Sequence, residues 1–174
     1  MDPHEAHQHL EPGNDASEYA KLLGVIGLIA LGALGVSGGF GAFDGMAFMR
    51  WFMGLYLLVF AAFKLADLPG FVSAYIGYDV IAKRFPAYAA VYPFIELTLG
   101  LLFVFWFAPG FTLAATLAVM SVSSIGVLQE LFRGSKIRCA CLGTVVRLPL
   151  TTVSLVEDLG MAGMAAAMLA LGAM

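Results

Sequence analysis

Five long apolar stretches constrain the fold of this chain more than any other feature. They cover roughly residues 18–37, 46–67, 87–108, 112–132 and 150–173. A helix of about 20 apolar residues is long enough to cross the hydrocarbon core of a bilayer. Apolar and polar residues do not alternate with period two in these stretches, which argues against transmembrane strands. The sequence therefore predicts an all-α protein of five spans embedded in a lipid bilayer.

The composition agrees with this prediction. Only 12% of the residues are charged, whereas soluble domains have about a quarter. Residues 1–17 are polar and acidic, carry three histidines and lack the basic start of a secretory signal peptide. We interpret them as a disordered tail. We expect no nucleic-acid partner.

The basic residues predict the orientation, because cytoplasmic loops of membrane proteins are enriched in lysine and arginine. With five spans, Arg50 lies on one side of the membrane and the other basic residues lie on the opposite side: Lys21, Lys64, Lys83, Arg84, Arg133, Lys136, Arg138 and Arg147. This bias predicts a multi-pass protein of the bacterial inner (cytoplasmic) membrane. The N-terminus and the 133–149 loop would be cytoplasmic, and the C-terminus periplasmic.

Two further patterns concern packing. Residues 70–86 place aromatic side chains on one face at helical spacing and charged ones on another, which predicts a helix lying in the membrane interface. Glycines in the first stretch and small residues in the last predict close helix packing; they are Gly24, Gly27, Gly32, Gly35, Gly160, Gly163 and Ala167. The same faces would permit a homodimer.

Ionisable residues inside the spans are functional candidates, because burying them in a membrane costs free energy. Glu96 lies deep in the third span, one turn after Pro93, and Glu157 lies in the fifth. Lys64 and Asp67 close the second span. The alternative is purely structural, with Lys64 pairing with Glu96 or Glu157. Asp158 points about 100° away from Glu157 on a helix, and we expect it to face the loop or the headgroups.

The only two cysteines, Cys139 and Cys141, lie in the basic loop 133–149. A Cys-X-Cys pair can cycle between a dithiol and a strained disulfide, or bind a soft ion such as Cu(I) or Hg(II). Lys136 and Arg138 should favour the thiolate that both uses require. Thioether ligands for a metal could come from one face of the last span, at Met161, Met164 and Met168. The same methionines also suit ordinary core packing.

Three runs together resemble the MauE branch of the MauE/DoxX family of redox-associated membrane proteins. They are RWFMGLYLLVFAAFKLADLPGF (50–71), YPFIELTLGLLF (92–103) and KIRCACLGTVVRLPLTTVSLVEDLGM (136–161). The resemblance covers about residues 46–170. It implies a DoxX-like four-helix bundle formed by spans two to five, over residues 46–173, with the helix at 18–37 as an addition. It also implies a redox-associated role, since MauE is needed to mature the disulfide-rich methylamine dehydrogenase alongside a thioredoxin-like protein.

The sequence leaves three functions open. The first is a membrane thiol–disulfide oxidoreductase, in which Cys139 and Cys141 exchange electrons with a thioredoxin-like partner or a quinone while Glu96 and Glu157 move protons. The second is a carrier of Cu(I) or Hg(II), supplied by a metallochaperone. The third is a non-catalytic assembly factor. Whether the protein is an enzyme stays open at this point.

Overall fold

A computed structural model of the protein describes residues 15–38, 43–133 and 152–172. Within these ranges the chain forms helices and turns, without strands. The helices are α1 (Asp15–Gly38), α2 (Gly45–Ala66), α3 (Leu68–Tyr75), α4 (Pro86–Phe105), α5 (Pro109–Phe132) and α6 (Thr152–Ala170). Among them α1, α2, α4 and α5 are long and apolar enough to cross a membrane. The prediction of an all-α membrane protein is confirmed.

The predicted fifth span corresponds to α6, which has 19 residues and is not one of these four candidate spans. It packs along α5, while α2 packs along α4 and α1 packs against α2. The short helix α3 contacts both α2 and α4. The helices after α1 therefore form one bundle, and α1 is added to its side through α2.

Short polar and proline signals set the helix boundaries. The carboxylate of Asp44 accepts a hydrogen bond from the backbone N–H of Met46 at 2.9 Å and so caps the start of α2. Asp67 caps α3 in the same way, accepting from the N–H of Gly70 at 3.1 Å. Pro86 and Pro109 begin α4 and α5, where the missing N–H of proline would have had no helical partner.

Two glycines of α2 and α4 allow these helices to approach each other closely. A Cβ added to Gly100 would lie 2.9 Å from Leu58 Cγ and 3.1 Å from the carbonyl oxygen of Gly54. A Cβ added to Gly54 would lie 3.1 Å from Phe103 Cβ. These backbones approach each other only because neither position carries a side chain.

Within the described residues, the glycines expected to mediate close packing do not contact another helix closely. Added Cβ atoms would meet nothing within 4 Å at the following positions: Gly24, Gly27, Gly35, Gly160 and Gly163. At Gly32 an added Cβ would make an ordinary contact with Leu55 at 3.5 Å. For packing among the described helices the prediction was wrong, because composition shows that a helix face carries small residues but not whether that face points at another helix. The homodimer stays a prediction.

Arg50, near the start of α2, binds the C-terminal end of α4. Its guanidinium donates hydrogen bonds to the carbonyl oxygens of Phe103 at 3.0 Å and Val104 at 2.7 Å, in the last turn of α4. Carbonyls in the last turn of a helix lack an i+4 partner inside that helix, and the Phe103 carbonyl also accepts from the N–H of Trp106 at 3.3 Å. The guanidinium carbon also lies 5.0 Å from the ring centroids of both Trp51 and Trp106. Trp106 ends α4 in the left-handed conformation, with φ 53°.

The segment 70–86 differs from the predicted continuous helix. Helix α3 ends at Tyr75, and the chain continues through turns to Pro86. The predicted aromatic face is real but it is buried in the protein, at Phe71, Tyr75, Tyr78 and Ala82. Phe85, from the same predicted face, is 64% exposed. The carboxylate of Asp79 accepts from the N–H groups of Ile81 and Ala82, which favours a turn at this point over a continuing helix.

We expect Gly100→Leu to lower the free energy of unfolding by about 1–3 kcal/mol or more, because a side chain forced into a packed contact strains its neighbours. Gly163→Leu, the matched control, meets open space and should be close to neutral. Unfolding in mixed detergent micelles measures both. Equal stabilities of the two variants would contradict the assigned α2–α4 contact.

Candidate functional site

A buried ion pair joins α2 to α4 in the interior of the bundle. The ammonium of Lys64 donates to both carboxylate oxygens of Glu96, at 2.5 and 2.6 Å. The two side chains are only 8% and 5% exposed. This is one of the two pairings that the sequence left open for Lys64. Burying both charges at this depth costs desolvation free energy, and removing either partner would leave the other charge buried without a counter-ion.

Aromatic rings surround the ammonium of Lys64. Its nitrogen lies 5.0 Å from the ring centroid of Tyr92 and 5.6 Å from that of Phe71, distances at which a cation is attracted to an aromatic face. Phe71 stacks on Tyr75 at 4.9 Å, and Tyr75 lies 4.7 Å from Tyr92. Helix α3 thus covers the ion pair with an aromatic layer.

Hydroxyl groups extend this site from α4 across α5 to α6. Tyr92 is a neighbour of Glu96 on α4 and of Ser123 on α5. Ser123 is in turn a neighbour of Asp158 on α6. Tyr92 and Ser123 are both buried. We call Lys64, Glu96, Tyr92, Ser123 and Asp158 the polar row.

Asp158 was expected to face either the headgroups or the cysteine loop, and that loop lies outside the described residues. The Asp158 side chain is half-buried and turns toward Ser123 and the Lys64–Glu96 pair, not toward the headgroups. The reason is its phase on α6: Asp158 precedes the buried residues Met161, Ala162 and Ala165 by 3, 4 and 7 positions, so it shares the face that packs on α5.

Ser123 was missed because serine is common and carries no charge. A signal was nonetheless present, since it belongs to a stripe of α5 residues at helical spacing that are all buried: Thr116, Met120, Ser123, Val127 and Glu130. Polar residues that recur on the packed face of a membrane helix usually hydrogen-bond to a neighbouring helix. Searching for that pattern would have identified Ser123.

A second polar cluster holds the 76–85 turns against α5. Lys83 donates to Glu130 at 2.5 Å, and Arg133 donates to the same oxygen at 3.0 Å. Gly126 of α5 faces the backbone of Tyr78 and Asp79, with an added Cβ only 3.0 Å from the Tyr78 carbonyl oxygen. Tyr75 donates to Asp79 at 3.1 Å. Burial first, and then the charge of Asp79, raise the pKa of Tyr75, so its hydroxyl keeps its proton.

The remaining predicted site residues are dispersed. Asp67 caps α3 as described above, and Glu157 is half-buried on α6 beside Asp158. Met161 and Met168 are core residues, at 2% and 0% exposure, and Met164 packs partly buried against that core. Four predicted residues lie outside the described part of the chain: Cys139, Cys141, Lys136 and Arg138. Within the described ranges, no three His, Cys, Asp or Glu side chains gather as a metal site.

Comparison with known proteins identifies the family. The model of "Methylamine utilisation protein MauE" matches residues 44–171, a range that contains the polar row and both cysteines. The chain belongs to the MauE family. This family of membrane proteins is linked to methylamine utilisation and to redox-related maturation. Neither the curated proteins nor the solved structures contain a significant match.

We expect Lys64→Met to destabilise this MauE-family protein by about 3–5 kcal/mol, since it leaves the Glu96 carboxylate buried without its counter-ion. The double variant Lys64→Met/Glu96→Met should recover most of that loss. Lys83→Met is the matched control: its side chain is 36% exposed and Glu130 keeps Arg133. Unfolding in mixed micelles distinguishes the variants. If Lys64→Met and Lys64→Met/Glu96→Met were equally stable, the assigned coupling between Lys64 and Glu96 would be contradicted.

Proposed function

We propose that this protein is a membrane thiol–disulfide redox protein that uses Cys139 and Cys141 as its reactive pair. Its partner would be a thioredoxin-like protein or a quinone, in the maturation of disulfide-containing proteins. The MauE family's link to redox-related maturation supports the class of function. The assignment to these two cysteines rests on their spacing and on their lying inside the matched range.

With a protein partner, the chemistry is two successive exchanges. The thiolate of one cysteine attacks a sulfur of the partner disulfide, forming a mixed disulfide and releasing one partner thiolate. The second cysteine then attacks the mixed disulfide, which closes the Cys139–Cys141 disulfide and releases the other partner thiolate. Two electrons pass to the partner, and the two thiol protons end on the partner thiols. The reverse sequence oxidises the partner.

With a quinone, the same dithiol would be oxidised to the disulfide while the quinone becomes a quinol. The two electrons and two protons lost by the cysteines are those that the quinone gains. Either route needs the thiolate as the starting species. Lys136 and Arg138 are close in sequence and would stabilise it electrostatically.

The observation that carries the proposal is the position of the polar row relative to the cysteine segment. Lys64 lies in the last turns of α2, and Asp158 lies in the second turn of α6. The segment with the cysteines joins the end of α5 to the start of α6, so it is attached at the end of the bundle where those charges lie. Buried ionisable groups inside a membrane commonly serve proton movement, which thiol oxidation requires.

Thiophilic metal binding is the alternative, with Cys139 and Cys141 as ligands of Cu(I) or Hg(II). The methionines that would extend such a path are accounted for by core packing at Met161 and Met168. We therefore favour the redox function and treat metal binding as an outcome that the same experiment can reveal.

We expect thiol alkylation resolved by mass, across glutathione redox buffers, to show a reversible two-electron transition of Cys139 and Cys141 in detergent-purified protein. A parallel sample should bind Cu(I) or Hg(II) no better than a free dithiol peptide. Cys139→Ser/Cys141→Ser should abolish the transition. If the thiols stay reduced in every buffer and bind one metal ion far more tightly than the peptide, the redox function is contradicted and metal carriage is supported instead.

The orientation has its own test. The distribution of basic residues leads us to propose that the cysteines face the cytoplasm of a bacterium and that the C-terminus is periplasmic. A membrane-impermeant maleimide should then label Cys139 and Cys141 in inverted membrane vesicles and leave them unlabelled in intact spheroplasts. A cysteine introduced at Met174 should show the opposite pattern. Cysteines that react from the outside of spheroplasts would reverse the proposed topology.

A further inference from the structure

Arg50 is a charged side chain that the proposed redox function does not use. It lies in the second turn of α2 and is half-buried. Among the described residues it forms no ion pair with a carboxylate. Asp44, the other described charged residue at this end of the bundle, is exposed and caps the start of α2. The positive charge of Arg50 is therefore not neutralised by the part of the chain that the structure describes.

The hydrogen bonds of Arg50 leave one edge of its guanidinium unused. A guanidinium carries five N–H donors in a rigid planar fork. Nε donates to the Phe103 carbonyl oxygen and Nη2 to that of Val104, so one side of the fork binds the end of α4. The outer edge consists of Nη1 and the second N–H of Nη2, and no residue in the described ranges accepts a hydrogen bond from Nη1. Two parallel N–H groups at such an edge match two oxygens of a phosphate.

The position of Arg50 along α2 places this edge close to the lipid headgroups. The 22 residues of α2 span about 33 Å at a rise of about 1.5 Å per residue, and the hydrocarbon core of a bilayer is about 30 Å thick. Arg50 comes only about 8 Å after the first residue of α2, and α4 ends beside it. Nη1 is not one of the buried side-chain atoms that lack a hydrogen bond, so a ligand can reach it from outside the bundle.

Aromatic side chains surround Arg50 at this end of the bundle. The guanidinium carbon lies 5.0 Å from the ring centroids of both Trp51 and Trp106, and tryptophan is enriched at headgroup depth. Four phenylalanines near this end are 62% to 75% exposed: Phe43, Phe105, Phe107 and Phe111. The acyl chains of a phospholipid can pack against these rings, whereas a free phosphate ion gains nothing from them. The surroundings of Arg50 therefore favour a lipid phosphate over a free one.

We propose that Arg50, Trp51 and Trp106 form a binding site for the phosphate of an anionic phospholipid. The outer edge of the guanidinium donates hydrogen bonds to two phosphate oxygens, and the acyl chains lie along the exposed phenylalanines. A zwitterionic headgroup carries its own cation, which competes with Arg50 for the phosphate, so an anionic headgroup binds more tightly. Because the same guanidinium binds the last carbonyls of α4, the lipid links the α2–α4 pair to the membrane surface.

The fluorescence of the unaltered full-length protein tests this site, because the two tryptophans of the chain both flank Arg50. The protein is reconstituted in phosphatidylcholine vesicles with rising fractions of either phosphatidylglycerol or phosphatidylcholine that carries bromine, a quencher of tryptophan, on its acyl chains. We expect brominated phosphatidylglycerol to quench more at each fraction, with a relative binding constant about fivefold higher. This factor corresponds to about 1 kcal/mol for one basic residue near an anionic membrane surface.

Two variants and one competing ion locate the lipid and identify its source. Arg50→Met should remove the preference, so that both brominated lipids quench equally. Arg84→Met is the matched control, because Arg84 is exposed and lies just before α4, at the opposite end of that helix from Trp106. It should leave the preference unchanged. Inorganic phosphate, exchanged for chloride at constant ionic strength, should also leave the preference unchanged, because the ligand is a lipid.

Equal quenching by the two brominated lipids in the unaltered protein would overturn the inference, and this result requires no variant to fold. A preference that persists in Arg50→Met, or that Arg84→Met reduces to the same extent, would place the lipid on another surface and overturn it as well. A preference that inorganic phosphate abolishes would identify a site for the free anion instead of a lipid. The measurement involves neither cysteine, so each of these results leaves the proposed redox function untouched.

Discussion

The buried ion pair between Lys64 and Glu96 is the constraint on which the rest of the bundle depends. Neither charge is tolerable in an apolar interior without the other, so the pair fixes both the rotation of α2 and α4 and their relative height. The Gly54–Gly100 contact then brings the two backbones together, and Arg50 fastens the far end to the last carbonyls of α4. Three different interactions thus hold one register along the same pair of helices.

That register determines the chemistry of the interior. With Glu96 held by Lys64, Tyr92 one turn earlier on α4 is directed at α5, where Ser123 is its neighbour. Ser123 is in turn a neighbour of Asp158 on α6, and α3 covers the ion pair with Phe71 and Tyr75. A line of polar side chains in the interior of a helix bundle is costly unless every member is satisfied. Buried ionisable groups that carry this free-energy cost in a membrane protein are typically groups that move charge or protons.

The family assignment and the polar row support one account from different directions. The MauE family is linked to redox-related maturation, and redox chemistry of thiols couples electrons to protons. The proposed cysteine pair would carry the electrons, and buried carboxyl groups such as Glu96 would move protons. Separate paths for electrons and protons are useful in a membrane, because thiols exchange electrons at a surface while protons need a path through a region without water.

Much of this protein was determined by its sequence alone. Four of the five predicted spans and the candidacy of Lys64 and Glu96 follow from local hydropathy and the cost of buried charge. Local capping and proline also account for the helix starts at Asp44, Asp67, Pro86 and Pro109. Tertiary structure alone decided that Lys64 pairs with Glu96 and that Asp158 faces inward. It also decided that Gly54 and Gly100 make the close contact, not the glycines of α1 and α6. The physical reason is that composition and periodicity describe one helix at a time, whereas a partner is set by the rotation and height of two helices relative to each other.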